Sequence, residues 1–126
     1  MPHLTLEYSA NVPDPPDIQG ILREFHRVLQ ETAGIKIENC KSRGRVAEEY
    51  LVADGGPDHA FVHLDVRILE GRSVELKKEL GNRMLETLRE HFSSAEAALD
   101  LQTTVEIRDI ERSSYFKHPE GTLTIL

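Results

Sequence analysis

Residues 60–73 read Ala-Phe-Val-His-Leu-Asp-Val-Arg-Ile-Leu-Glu-Gly-Arg-Ser. Val62, Leu64, Val66 and Ile68 alternate with Phe61, His63, Asp65 and Arg67, the period of a strand with one buried face. Glu70-Gly71-Arg72-Ser73 then turns the chain, with Ser73 as a natural N-cap and Glu75 suited to a helix N-terminus. The stripe Leu76, Leu80, Met84, Leu85, Leu88 and Phe92 predicts that helix, which ends near Arg89 and His91. Residues 93–101 predict a short helical turn, and Thr103, Val105 and Ile107 alternate as another strand. The order is strand, helix, strand, with both strands expected to run parallel.

Upstream, residues 53–59 (Ala-Asp-Gly-Gly-Pro-Asp-His) make a strong break, and before it the same pattern occurs once more. Leu4, Leu6 and Tyr8 alternate with His3, Thr5 and Glu7, and residues 11–17 form a turn containing three prolines and two aspartates. Asp17 is placed to cap a helix with the stripe Ile18, Ile21, Leu22, Phe25, Val28 and Leu29, closed by Gly34. A polar strand is expected over about 38–46, where Lys41, Arg43 and Arg45 alternate onto one face. The expectation is an α+β fold: tandem β-α-β units, about 1–52 and 60–126, forming a four-stranded sheet with two helices packed on one face. A unit of about 60 residues is marginal alone, so both halves belong to a single domain, 1–126. The apolar tail (Leu123, Ile125, Leu126, after a turn at Pro119-Glu120-Gly121) leads us to expect another subunit against the open face of the sheet.

The chain has 126 residues, a formal charge of −7, 39% hydrophobic and 29% charged residues, and one cysteine. That is enough apolar material for a core, and no apolar run approaches the roughly 20 residues of a membrane span. Met1-Pro2-His3-Leu4-Thr5 lacks the character of a signal peptide, and a lone Cys40 suits a reducing compartment, so a cytoplasmic location is expected. No Lys/Arg run longer than a pair occurs, which disfavours nucleic acid as a partner. No zinc spacing, phosphate loop or Gly-x-Ser-x-Gly elbow is present, so no metal site is expected.

Three features carry chemistry. Pro2 lies directly before a strand, and removal of Met1 would leave a prolyl secondary amine. Burial or a nearby cation would lower its pKa below the usual 7.7–8 of an α-amine and fit it for proton transfer near pH 7. A retained Met1 would make the same nitrogen a tertiary amide without a basic lone pair. Arg72, just ahead of a helix N-cap, can share an anion site with that helix end. Lys41 and Arg43, on one strand face, can clamp carboxylates.

Met1-Pro2-His3, Ala53-Asp54-Gly55, Ala60-Phe61-Val62-His63-Leu64, Gly71-Arg72-Ser73, His91-Phe92 and Phe116-Lys117 together resemble the 5-carboxymethyl-2-hydroxymuconate isomerase family of the tautomerase superfamily. The resemblance implies a homotrimer of doubled β-α-β chains with sites near the N-terminal prolines at subunit borders. It implies Pro2 as the acid/base, Arg72 as a carboxylate-binding turn arginine, and Phe116 as a further substrate contact. The family's strand arginine falls at Lys41, with Arg43 close by; lysine keeps the charge and loses the planar two-pronged contact. The family's aromatic-rich stretch is replaced here by Ala47-Glu48-Glu49-Tyr50. The implied reaction is a cofactor-independent proton shift along a conjugated dienol of a small unsaturated carboxylic acid. The alternatives are a promiscuous tautomerase, a decarboxylase or hydratase of small unsaturated acids, or an inactive oligomeric binding protein. A substrate carboxylate needs only local cations, so the overall charge of −7 leads to the expectation of positive charge concentrated beside Pro2.

Overall fold

In a computed structural model, residues 1–119 are described. The elements are β1 (His3–Ser9), α1 (Ile18–Ala33), β2 (Lys41–Ala47), β3 (His59–Leu69), α2 (Val74–His91), α3 (Ser93–Ala98) and β4 (Asp100–Ile110). The sheet order is β2-β1-β3-β4. β1 runs parallel to β2, β3 runs parallel to β4, and the two pairs join through antiparallel β1 and β3. The expected four-stranded sheet and its two main helices are present.

Each β-α-β unit forms for reasons visible along the chain. Ser73 Oγ accepts the Leu76 N–H at 3.1 Å, the expected cap of α2. Gly34 ends α1 at φ 65, a left-handed conformation that glycine adopts without a Cβ clash. Asp17 holds the N-cap position of α1, but its carboxylate makes no capping hydrogen bond. The helices lay one face each on the sheet. Ile21, Phe25 and Leu29 of α1 and Leu80, Met84 and Leu88 of α2 meet Leu4, Leu6, Val62, Leu64, Val66 and Ile68, all fully buried. Arg83 of α2 ties the helices together by donating to Thr32 Oγ1 and Glu31 Oε1, both at 2.8 Å.

Two boundaries differ from expectation. β2 starts at Lys41 because residues 37–39 close a tight 3₁₀ turn, in which the Cys40 N–H donates to the Ile37 carbonyl at 3.0 Å. β4 is longer than Thr103 to Ile107 suggests, because it pairs with all eleven residues of β3, from His59↔Asp100 to Leu69↔Ile110. Asp100, Arg108 and Asp109 carry no apolar signal, and their strand state comes from the neighbouring ladder. The open face of the sheet is polar. Its rows read Lys41-His3-Arg67-Arg108, Arg43-Thr5-Asp65-Glu106 and Arg45-Glu7-His63-Thr104 across the four strands. The apolar tail residues Leu123, Ile125 and Leu126, and most of the turn at 119–121, lie outside the described residues. No helix among the described residues is long and apolar enough to cross a membrane.

Candidate active site

The strand directions decide where chemistry can gather. With β1 and β2 parallel and β3 antiparallel to β1, one end of the sheet collects the starts of β1 and β2 and the ends of β3 and β4. Pro2, Lys41, the 70–72 turn and residues 110–117 all meet there.

Pro2 is buried, and its carbonyl accepts the Lys41 N–H at 3.2 Å. The side chain of Met1 is 5% exposed and packs with Leu69, Ile110 and Tyr115 in a small apolar cluster separate from the main core. The Met1 α-amine donates to the Asn39 carbonyl at 3.0 Å, and Lys41 Nζ donates to that same oxygen at 2.9 Å. Burial pushes this amine down to about 5, and the charges of Lys41, Lys117 and Arg72 push the same way, against a smaller opposing contribution from Cys40.

Arg72 is half-buried and donates from Nη1 to the Leu69 carbonyl at 3.3 Å. Burial and the neighbouring Arg112 both hold its pKa below the ordinary guanidinium value. Its turn is clasped by Arg112: Nε and Nη2 donate to the Glu70 carbonyl at 3.1 and 2.7 Å, and the Arg112 N–H donates to Glu70 Oε2 at 2.8 Å. Gly71 lies under this clasp at φ 117, and a Cβ built there would come 3.4 Å from Arg112 Nη2. Arg43 sits one step further along the open face, with Nη2 3.4 Å from His3 Nδ1. His3 Nε2 is 2.8 Å from the Tyr115 hydroxyl. Burial lowers the His3 pKa first, and Arg43, Lys41, the terminal amine and Arg67 lower it further.

The structure thus brings Pro2, Lys41 and Arg72 to one place, with Arg43 beside them. Phe116 is 88% exposed in its own chain, and it is the preceding residue, Tyr115, that turns inward. Sequence reading passed over His3 as an ordinary strand histidine and did not single out Tyr115 or Arg112. His3 stands within the Met1-Pro2-His3 motif and Tyr115 beside Phe116, while Arg112 carries no signal in the sequence. Among the described residues one group offers metal-ligand atoms within 4.8 Å of one another: His63, Asp65 and Glu106 on the open face. Asp65 is already held by Arg108 at 2.8 and 3.2 Å and His63 Nδ1 by Thr104 at 2.7 Å, so a cation would have to displace an arginine. Chemically, the N-terminal site offers a neutral amine, an apolar floor and several cations, the equipment for moving a proton on a small anion.

Residues 2–120 match the family model described as 5-carboxymethyl-2-hydroxymuconate isomerase. The chain is 28% identical over 117 residues to the 5-carboxymethyl-2-hydroxymuconate Delta-isomerase of Escherichia coli, covering 93% of each. A crystal structure of a 5-carboxymethyl-2-hydroxymuconate isomerase from Deinococcus radiodurans R1 superposes with a TM-score of 0.84 at 36% identity, covering 92% of this chain and 87% of that one. A fused 4-OT wild-type symmetric trimer shares the fold, with a TM-score of 0.71 at 17% identity over 91% of this chain and 90% of that one.

Proposed function

The chain belongs to the 5-carboxymethyl-2-hydroxymuconate isomerase family, and from that premise we infer an isomerase that moves a proton along a dienol such as 5-carboxymethyl-2-hydroxymuconate, with Pro2 as the acid/base. The observation that carries this reading is the gathering of Lys41, Lys117 and Arg72 around a buried N-terminus, where burial and these charges push the Met1 amine down to about 5. With Met1 removed, the same burial and cations would favour the neutral form of the Pro2 amine. It takes the proton of the dienol hydroxyl as the electron pair spreads along the conjugated chain, and it returns a proton to a distant carbon, giving the isomeric unsaturated ketone. No atom is gained or lost, and the extended enolate itself delocalises the charge without a cofactor. Arg72, Lys41 and Arg43 hold carboxylates and stabilise the developing negative charge. Loss of Met1 also frees the apolar space between Leu69, Ile110 and Tyr115 for the substrate's carbon chain.

A homotrimer is the assembly that fits this reading, since a fold neighbour described as a symmetric trimer shares the architecture. The single Cys40 suits a cytoplasmic protein. The experiment is a comparison of wild type with Pro2→Ala, both verified free of Met1 by intact mass, on a 2-hydroxymuconate-type dienol followed by ultraviolet absorbance. Proton transfer by one positioned group supplies about 10²–10⁴-fold, so Pro2→Ala is expected to lose that much. Full activity in that variant would exclude the proline mechanism. Turnover of β-keto acids or simple keto-enol pairs in preference to the dienol would instead favour a promiscuous tautomerase or decarboxylase.

A further inference from the structure

The contacts around His3 select a tautomer that the function above does not use. Arg43 is a donor only, so the tautomer of His3 that satisfies both of its contacts keeps its lone pair on Nδ1, 3.4 Å from Arg43 Nη2. The ring is then neutral with its proton on Nε2, and that N–H donates to the Tyr115 hydroxyl oxygen at 2.8 Å. Tyr115 accepts this bond and keeps its own O–H proton, which has no acceptor among the described residues. The groups whose charge acts on the His3 ring are Arg43, Lys41, the terminal amine and Arg67, and none of them is anionic. Arg112, at the start of the 3₁₀ turn Arg112–Ser114 that leads into Tyr115, also has its Nη1 buried without an acceptor among the described residues.

Unmet donors ringed by cations call for an anionic acceptor. We propose that Tyr115 is a substrate-contacting residue whose hydroxyl, oriented by His3, donates to a carboxylate of the substrate. His3 is the positioning residue, because it fills a lone pair on Tyr115 and so turns the O–H away from itself. The inference rests on the isomerase reading and adds a neutral hydrogen-bond donor to its cations. A carboxylate held by Tyr115 adds to those held by the cations, so the site favours a substrate with more than one carboxylate.

The test measures binding and turnover separately on Met1-free protein. The binding probe is adipate, a saturated dicarboxylate that cannot react, followed by calorimetry. A hydrogen bond to a charged group corresponds to about tenfold or more in affinity, so Tyr115→Phe is expected to weaken adipate binding about tenfold. The same variant should raise KM for the dienol with little change in kcat, and butyrate binding should change less than adipate binding. His3→Ala should weaken adipate binding in the same direction, and His3→Gln, which can place an N–H near the Nε2 position, should recover part of the loss. Wild-type adipate affinity in Tyr115→Phe would overturn the proposal while leaving the isomerase reading intact. So would a changed oligomeric state with unchanged affinity, which would assign the acceptor to a neighbouring copy. A wild-type protein that neither binds adipate nor turns over the dienol would overturn the isomerase reading, and this proposal with it.

Discussion

The α-amine of Met1 and the ammonium of Lys41 donate to one acceptor, the carbonyl of Asn39, at 3.0 and 2.9 Å. Two like charges held on one oxygen repel, and only the amine can shed its proton cheaply, since an ordinary lysine pKa lies about two units above that of an α-amine. Lys41 therefore acts on the N-terminus electrostatically, whatever else it binds.

Lys41→Ala should move the acid limb of the kcat/KM profile upward by a fraction of a pH unit to about one unit, because one of the charges disfavouring the ammonium form is gone. Lys41→Arg should leave the limb where it is. A pH–rate series on Met1-free protein reads this directly, and an unmoved limb in Lys41→Ala would show that Lys41 does not act on the base.

Stability of the Met1-bearing chain should rise between pH 5 and pH 8. Its amine falls from 8.0 unfolded to about 5 folded, so the unfolded chain binds more protons across that interval. Burial also lowers His3 and His26, with the same sign. Urea midpoints at pH 5 and pH 8, at matched ionic strength, check it; a higher midpoint at pH 5 contradicts the assignment. Added salt should flatten only the smaller part of the slope that comes from the charges of Lys41, Lys117 and Arg72, since burial, the larger cause, is not screened.

Gly71→Ala should cost about 1–3 kcal/mol, the usual range for forcing a side chain into a sparsely populated backbone conformation, since this residue sits at φ 117. The added Cβ would also press on Arg112, whose guanidinium holds the Glu70 carbonyl. We expect KM to rise with the loss of stability, because the same turn carries Arg72. Thermal melts and a KM measurement decide the point; a neutral Tm would show that the turn relaxes freely.

Leu64→Ala should destabilise by about 2–5 kcal/mol through lost burial and the cavity left behind. Leu64 is fully buried and is paired with Leu6 on one side and Val105 on the other, at the centre of the sheet. Chemical denaturation measures it, and a loss below about 1 kcal/mol would mean that the core collapses around the gap.

The sequence by itself determined the architecture. The alternation of Val62, Leu64, Val66 and Ile68, the Ser73 cap and the Gly34 stop are local signals, written within one turn or one strand, and each element formed where they stand. Two β-α-β units with one apolar face each had to share a sheet. Pro2 and Arg72 stood out as candidates because their types and places, before a strand and before a helix cap, are themselves local. Only the tertiary structure decided what surrounds them. Tyr115 reaches His3 across 112 positions, and Arg112 reaches Glu70 across 42. The length of β4 came from its pairing with β3, since Asp100 and Asp109 have no strand character of their own. The pKa of an amine likewise depends on burial and on charges brought near by sheet register, and periodicity along a chain records neither. The expectation of positive charge beside Pro2 named Lys41 and Arg72, but Lys117 joins them only through the fold, because a net charge of −7 is a sum that discards position, and position sets the local field.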